Sequence, residues 1–185
     1  MPKLFVAIAV PCAALGELSH LQPPRQSGIR LTAASQMHLT LHYLGDGDVE
    51  ATTAALKLVA APTFALTLDG VGRFSSADGA VTLWAGVRQS SELLGLHAAI
   101  ADALAGLGYQ PEARPYTPHV TLARCDPGSA NDIIDCFLKQ HADFSLTCGM
   151  VDEFGLYSSE FIDGVPVYRR QQTFALQAAA DNVDG

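Results

Sequence analysis

The chain has 185 residues, of which 49% are hydrophobic and 16% charged. This composition supplies enough apolar material for one compact domain and excludes a disordered protein. The formal net charge of -8 argues against a protein that grips long nucleic acid through its phosphates, because such proteins carry a broad basic surface. A local site for a small phosphorylated ligand or for one RNA end is compatible with this charge.

The cysteines and the N-terminal segment indicate a cytoplasmic protein. Cys12, Cys125, Cys136 and Cys148 show no Cys-x-x-Cys spacing, whereas zinc sites and disulfide scaffolds leave tighter patterns. We therefore expect buried, reduced thiols. The apolar run at 4–10 is too short for a signal peptide and predicts a first strand. No apolar stretch is long enough to span a bilayer, so we expect no membrane partner.

The first half of the chain alternates strand-like and helix-like segments. Apolar runs bounded by proline or glycine predict strands, and leucine or alanine at helical spacing predicts helices. The predicted order is a strand at 3–10, a helix at 12–21, a loop at 25–34, a strand at 38–44, a turn at 45–48, a helix at 49–60, a strand at 64–68, a turn or bulge at 69–72, a strand at 80–87 and a helix at 91–107.

The second half of the chain repeats this logic. A proline-punctuated approach favours an extended backbone before the next strand, and a serine is a good helix N-cap. The predicted order is an extended segment at 111–118, a strand at 119–125, a turn at 126–128, a helix from Ala130 to about Gln140 capped by Ser129, strands at 144–150 and 151–157, a turn at Gly164, a strand at 165–176 and a frayed tail at 181–185.

This order of elements favours an α+β fold. Strands and helices are mixed without a regular βαβ repeat or a glycine-rich phosphate loop, which argues against a Rossmann or P-loop fold. Each half contains one strand that carries the same short motif. We therefore expect two α+β lobes related by approximate two-fold symmetry, with the two motif strands lining a shared cleft.

The repeated motif is His-x-Thr-Leu. It occurs as His38-Leu39-Thr40-Leu41 and again as His119-Val120-Thr121-Leu122, and only these two of the six histidines precede a threonine at this spacing. Side chains alternate between the two faces of a strand, so each motif presents an imidazole and a hydroxyl on one face. Two such strands facing each other would combine two histidines and two threonines in one site.

These four side chains suit displacement at phosphorus. Near neutral pH one imidazole can accept a proton while the other, as a cation, donates one. The hydroxyls of Thr40 and Thr121 can donate hydrogen bonds to phosphoryl oxygens. The arrangement requires no metal, and no carboxylate near the motifs has metal-ligand spacing. The residues alone leave open which of His38 and His119 is the acid.

Further sequence blocks match one known family. They run from the first strand to the last: Leu4-Phe5-Val6-Ala7-Ile8 with Pro11, the block 38–45, the block 114–124, and Leu156-Tyr157-Ser158-Ser159 with Gly164 and Tyr168. Together with the motifs, they make the chain resemble the two-histidine (2H) phosphoesterase superfamily. Within it, the chain is similar to the RNA 2′,3′-cyclic phosphodiesterase branch, the bacterial and archaeal 2′–5′ RNA ligase family.

The resemblance implies a bilobal fold with two antiparallel sheets and flanking helices around a central cleft. It implies a single domain over 1–185, made of two intertwined lobes. The implied reaction is hydrolysis of an RNA or nucleoside 2′,3′-cyclic phosphate to a 2′-phosphate end, with the 3′-oxygen leaving. By analogy His38 is the proton donor and His119 the proton acceptor, and Arg124 joins the threonines in binding phosphate.

Other residues near the motifs are placed by strand alternation and by the family match. Strict alternation points Arg124 away from the second-motif histidine, although a bulge near the end of the strand can re-aim it. His42 shares the face of the first-motif histidine and is expected at the cleft rim, outside the catalytic set. Family members often have an aromatic residue directly after the arginine upstream of the first motif, whereas in this chain Leu31 follows Arg30. Loop stabilisation is expected for Arg30 and Arg114, with phosphate or substrate contact as the alternative. Core or rim packing is expected for Tyr116 and Phe74, with base stacking as the alternative. His20, His97 and His141 are expected on helix surfaces or ends.

Two other functions are compatible with the same residues. The first is RNA 2′–5′ ligation, which is the reverse of 2′–5′ linkage cleavage at the same site. The second is a binding module that holds nucleotides without turnover. A complementary acid and base argue against the pure binder. We expect no cofactor and no metal. The expected partners are RNA 2′,3′-cyclic phosphate ends or small cyclic nucleotides, with no stable complex with long nucleic acid, and we expect a monomer.

Overall fold

The structure has the α+β class that the sequence predicts. The computed structural model describes residues 2–110, 114–128, 131–162 and 165–178. Within these ranges it contains nine strands and four α-helices. The predicted cap at Ser129 and Ala130, the turn at Gly164 and the tail at 181–185 lie outside the described residues.

The helices and strands are numbered in chain order. The strands are β1 Lys3–Ala9, β2 Ile29–Leu31, β3 His38–Asp46, β4 Phe64–Ser75, β5 Val81–Val87, β6 His119–Cys125, β7 Ser145–Val151, β8 Glu153–Ile162 and β9 Val165–Ala175. The α-helices are α1 Cys12–Leu21, α2 Val49–Leu56, α3 Ser91–Ala105 and α4 Asn131–Gln140, and a short 3-10 helix covers Ala34–Gln36.

The strands form one antiparallel sheet with two similar halves. The order is β7-β4-β5-β6-β3-β1-β8-β9, and β2 pairs separately with β6. The four strands on each side of the centre correspond to the two expected sheets. They are joined where the motif strands β3 and β6 meet, through the single register pair Leu39 and Val120. The two motifs therefore lie side by side at the centre of the molecule.

The chain crosses between these two halves more than once. The last strands, β8 and β9, return to the half that holds β1. Helix α1 follows β1 in sequence but packs on β6 and β7, whereas α3 packs on β3 and α2 on β9. That the chain is a single domain with two intertwined lobes stays a prediction. Intertwined lobes would need the chain to cross between the two halves in this way.

Helix caps and alternating burial explain why the elements form where they do. Asp48 caps α2 by accepting a hydrogen bond from Ala51 N at 2.8 Å, and Ser90 caps α3 by accepting from Leu93 N at 3.1 Å; such caps contribute about 1 kcal/mol each. In the motif strands the residues between and after the histidine and threonine are fully buried, whereas the motif histidines and threonines are half-buried. The apolar face of each motif strand is therefore packed and its polar face is left to line the cleft.

Strand β2 was not predicted, because three residues in a predicted loop carry too little pattern. It forms through its pairing with β6, which lies about a hundred positions further along the chain. Strand β4 runs through the predicted turn at 69–72, where the register with β5 shifts between Leu68 and Val71. The predicted alternative, a bulge, is thus the correct one.

Two other predicted boundaries were wrong because of tertiary pairing. Helix α2 ends at Leu56 instead of residue 60, since the following segment pairs with the C-terminal part of the chain through Thr63 N to Gln177 O at 2.8 Å. Strand β3 continues to Asp46 because its end pairs with the start of β1, and Gly45 adopts φ 71° there.

The cysteine prediction is half correct. All four cysteines are free thiols, but only Cys125 and Cys148 are buried, while Cys12 and Cys136 are exposed on α1 and α4. Within the ranges that the structure describes, every helix is too short or too polar to cross a membrane.

A pair of glycine substitutions tests how the central sheet is packed. A Cβ at Gly72 would overlap the ring of Trp84, whereas a Cβ at Gly95 on α3 meets nothing within 4 Å. We expect Gly72→Ala to lower the free energy of unfolding by about 1–3 kcal/mol, because an overpacked ring must move. Since Trp84 is the only tryptophan, its fluorescence emission should also shift.

The matched control is Gly95→Ala, which should raise the free energy of unfolding by about 0.5–1 kcal/mol through helix propensity. Denaturant unfolding followed by fluorescence and circular dichroism measures both variants. Equal effects of the two substitutions would contradict the described packing of Trp84.

Candidate active site

All five predicted site residues line one cleft. The cleft has a volume of about 790 Å³ and opens where β3 and β6 meet. His38 and Thr40 from β3 and His119, Thr121 and Arg124 from β6 are among its lining residues. The structure therefore brings together the two motifs that lie 81 positions apart in the sequence.

The two histidines are held by the same backbone contact. Nδ1 of His38 lies 2.7 Å from the carbonyl oxygen of Gln36, and Nδ1 of His119 lies 2.7 Å from the carbonyl oxygen of Thr117. A carbonyl oxygen only accepts hydrogen bonds, so Nδ1 is the protonated nitrogen of each neutral ring. Nε2 is then the unprotonated nitrogen of each neutral ring and is able to accept a proton.

A β-bulge follows the threonine in each motif. In β3 the pairing with β1 passes from Thr40 to His42 and skips Leu41. In β6 the pairing with β5 passes from Thr121 to Ala123 and skips Leu122. Each bulge reverses the alternation of the residues that follow it.

The bulge in β6 brings Arg124 into the cleft. Strict alternation pointed this side chain away from His119, and that expectation was wrong, while the alternative of a bulge near the end of the strand is what the structure contains. The positive charge of Arg124 contributes to the lowered pKa of His38. The corresponding bulge in β3 brings Tyr43 to the cleft.

His42 lies on the opposite face, and its predicted place at the cleft rim was wrong for the same reason. Its Nε2 donates to the carbonyl oxygen of His97 at 2.8 Å, and the two rings stack at 4.1 Å. The ring of His97 also stacks on Tyr116 at 3.9 Å, and Tyr116 donates from Oη to the carbonyl oxygen of Thr40 at 3.1 Å. This stack supports the first motif from behind.

His97 thus faces inward from α3. Its predicted place on a helix surface or end was therefore wrong. Burial, together with the nearby charge of His42, lowers the pKa of His97 to about 4. Burial also raises the pKa of the Tyr116 hydroxyl. Both rings are therefore neutral near pH 7, which suits a packed aromatic stack.

Aromatic side chains surround both motif histidines. Phe5 and Tyr168 lie 5.0 and 5.2 Å from the ring of His38, between ring centroids. Phe74 and Trp84 lie 4.9 and 5.9 Å from the ring of His119. A backbone hydrogen bond and aromatic neighbours thus help to hold each imidazole in place.

Sequence reasoning missed several residues of the cleft wall. Phe5 lies on a strand that is apolar on both faces, so its pattern did not reveal which face meets the cleft. Tyr168 and Ser159 belong to blocks that carry the family resemblance, and this was the available signal. Leu31 lines the cleft at the position where family members often have an aromatic residue.

The pKa of His38 is lowered from the ordinary histidine value of 6.5. Burial is the largest cause, the hydrogen bond to the Gln36 carbonyl opposes it, and the charges of His119 and Arg124 add to the lowering. In the unliganded cleft the neutral form of His38 is therefore favoured at neutral pH.

The cleft is locally positive although the chain is acidic. Among its described lining residues are Arg25, Arg30 and Arg124, and none is an aspartate or glutamate, against a net charge of -8 for the whole chain. Such a cleft concentrates anions. In the part of the chain that the structure describes, no three His, Cys, Asp or Glu side chains are grouped closely enough to hold a metal ion.

Comparison with known proteins agrees with this geometry. The family model for the 2′-5′ RNA ligase superfamily matches residues 10–160. The chain belongs to this superfamily. Its predicted membership is therefore confirmed, and the match includes both His-x-Thr-Leu motifs.

This 2′-5′ RNA ligase superfamily member is similar to proteins of known name and structure. It is 31% identical over 182 residues to the RNA 2′,3′-cyclic phosphodiesterase of Escherichia coli (strain K12), which covers 94% of this chain and 96% of that protein. It is 31% identical over 153 residues to a protein of the same name from Geobacillus stearothermophilus, covering 80% of this chain and 48% of that longer protein. The crystal structure of E. coli LigT complexed with 3′-AMP matches with a TM-score of 0.76 and 28% identity, covering 95% of this chain and 98% of LigT.

The charge environment of His38 gives a pH prediction. Arg124→Gln should raise the pKa of His38, because one of the positive charges that favour the neutral ring is removed. The pKa should stay below 6.5, since burial, the larger cause, is unchanged. An NMR titration of the histidine ring signals measures this shift.

The control is Arg73→Gln, which should leave the pKa of His38 unchanged, because Arg73 pairs with Asp135 at 4.0 Å and is not among the lining residues.

The lowered pKa of His38 also links stability to pH. Because folding favours neutral His38, this group adds stability above pH 6.5 that is lost as the pH falls. Titration of His38 at or above 6.5 in the unmodified protein would contradict this description of the cleft.

Proposed function

We propose that the protein hydrolyses the 2′,3′-cyclic phosphate of RNA ends or small nucleotides to a 2′-phosphate, without a metal ion. The observation that carries the proposal is the pair of imidazoles on adjacent antiparallel strands, each held through Nδ1 and each accompanied by a threonine hydroxyl in one positive cleft. His38 is the proton donor and His119 the proton acceptor. Thr40, Thr121 and Arg124 bind the phosphate.

The reaction is a single displacement at phosphorus. Nε2 of His119 takes a proton from a water molecule, and the water oxygen forms a bond to phosphorus. The bond from phosphorus to the 3′-oxygen breaks, and that oxygen receives the proton of Nε2 of His38. The threonine hydroxyls and the Arg124 guanidinium hold the charge on the phosphoryl oxygens. Afterwards His119 is protonated and His38 neutral, and proton exchange with water restores the starting state.

The lowered pKa of His38 is compatible with a donor only when substrate is bound. A bound phosphodiester is negative and lies between the two histidines, so it favours the protonated imidazole. The same negative charge offsets the positive charge of Arg124, which without a ligand disfavours the protonated form of His38. Substrate binding itself thus prepares the acid.

The relatives support the proposal at the level of the enzyme class. Those from E. coli and G. stearothermophilus are named RNA 2′,3′-cyclic phosphodiesterases, which confirms the prediction of a cyclic phosphodiesterase. The LigT complex with 3′-AMP supports a nucleotide ligand for this cleft. The histidine roles, the product isomer and the independence from metal belong to our proposal.

We also infer a cytoplasmic location and a monomer. The four free cysteines support a reducing compartment, since disulfides are rare there. The acidic balance of the chain supports RNA ends or small nucleotides as ligands and argues against long nucleic acid.

A product assay in the absence of metal tests the proposed function. With a 2′,3′-cyclic nucleotide and excess EDTA, we expect full activity and a 2′-phosphate, identified by phosphorus NMR or chromatography. His38→Ala and His119→Ala should each lower kcat by about 10²–10⁴-fold, because each removes one proton transfer. His20→Ala, an exposed histidine at the end of α1, is the matched control and should keep full activity.

Full activity in either motif-histidine variant, or loss of activity in EDTA, would contradict the mechanism. A 3′-phosphate product would reverse the leaving oxygen. Joined RNA from cleaved tRNA halves would favour ligation, and tight binding of the cyclic nucleotide without product would favour a binding module.

A further inference from the structure

Two arginines lie directly opposite each other at the mouth of the cleft. Strand β2 pairs with β6 in antiparallel register, and this register sets Arg30 against Arg124. Both residues line the cleft. Directly opposed residues on paired strands have Cβ atoms about 5 Å apart and project from the same face of the sheet.

This juxtaposition is unfavourable unless an anion lies near it. Like charges directly opposite each other destabilise a strand pair. The ion pair between Arg30 and Asp126 is weak, because Arg30 Nη2 lies 3.4 Å from Asp126 Oδ1 and the two side chains are 71% and 53% exposed. An exposed ion pair of this kind leaves most of the donors of a guanidinium available. The phosphates of a bound RNA end would compensate the charges of both arginines.

The arginine pair adjoins the two-histidine position. Arg124 acts on the pKa of His38 and on that of Tyr168, so its charge is close to the inner part of the cleft. Arg30 lies one strand further out, on the side where Arg25 also lines the cleft. A ligand held by His38 and His119 that extends past Arg124 therefore meets Arg30 next.

We propose that Arg30 forms a second anion position, next to the phosphate position that includes Arg124, and binds the internucleotide phosphodiester on the 5′ side of the terminal nucleotide. The preferred substrate is then an RNA end of at least two nucleotides, and a mononucleotide fills only the inner position. This inference rests on the proposed function. It gives Arg30, for which a structural role in the loop was expected, a part in selecting the substrate.

A purely structural role of Arg30 makes a different prediction. If Arg30 only ties β2 to Asp126, its replacement disturbs the cleft equally for every substrate. If it binds the second phosphate, its replacement penalises the longer substrate more. The ratio of kcat/KM values for two substrates separates these cases, because a general disturbance of the cleft cancels in the ratio.

The experiment compares three substrates on the full chain. They are a nucleoside 2′,3′-cyclic phosphate, a dinucleotide ending in a 2′,3′-cyclic phosphate, and the same dinucleotide with a neutral methylphosphonate linkage. We expect the unmodified protein to prefer the charged dinucleotide over the other two by about tenfold in kcat/KM, as a charge-assisted contact to phosphate provides. Arg30→Gln should reduce this preference to about twofold or less. Added salt should reduce it as well.

Arg88→Gln is the matched control, since Arg88 is an exposed arginine that contacts Asp69 at 3.2 Å and does not line the cleft. It should keep the preference of the unmodified protein. The inference is overturned if the unmodified protein treats the two dinucleotides alike, or if Arg30→Gln keeps the full preference. Absence of turnover with all three substrates would instead overturn the proposed function.

Discussion

The hydrogen bond from each motif histidine to a backbone carbonyl two residues upstream is the constraint on which the site depends. It is formed at 2.7 Å in both halves of the sheet. It fixes the tautomer of each ring and leaves Nε2 as the unprotonated nitrogen of the neutral form. Because both acceptors are backbone atoms on the approach to a strand, the geometry follows from the fold around the motifs. The two strands then need only their central contact at Leu39 and Val120 to place both rings in one cleft.

The bulges at Leu41 and Leu122 give the two halves different chemistry from the same plan. Each follows the motif threonine and turns the residue three positions after that threonine into the cleft. In one half this residue is Tyr43, and in the other it is Arg124. In the proposed mechanism the symmetric positions transfer protons and contact phosphate, while the asymmetric positions place the positive charge on one side. That side continues to Arg30, so the cleft of an acidic protein carries its positive charge along one direction.

Sequence patterns predicted the parts of the structure that local periodicity determines. Strand β6 has the predicted bounds, and the motif face was correct because alternation holds from His119 to Thr121. The positions of Arg124 and His42 depend on bulges, which arise from pairing with β5 and β1 and leave little trace in a single strand. Strand β2 and the end of α2 likewise depend on partners far away in the sequence. The family resemblance supplied the assignment of acid and base, because both histidines are held by the same kind of backbone hydrogen bond.

The tautomers of the two motif histidines are the most direct test of how the fold prepares these rings for proton transfer. In protein labelled with ¹⁵N in the histidine rings, a long-range proton–nitrogen NMR spectrum distinguishes a protonated from an unprotonated ring nitrogen. Above the titration range, we expect His38 and His119 both to carry their proton on Nδ1 and to present an unprotonated Nε2. A proton on Nε2 of either neutral ring would contradict it.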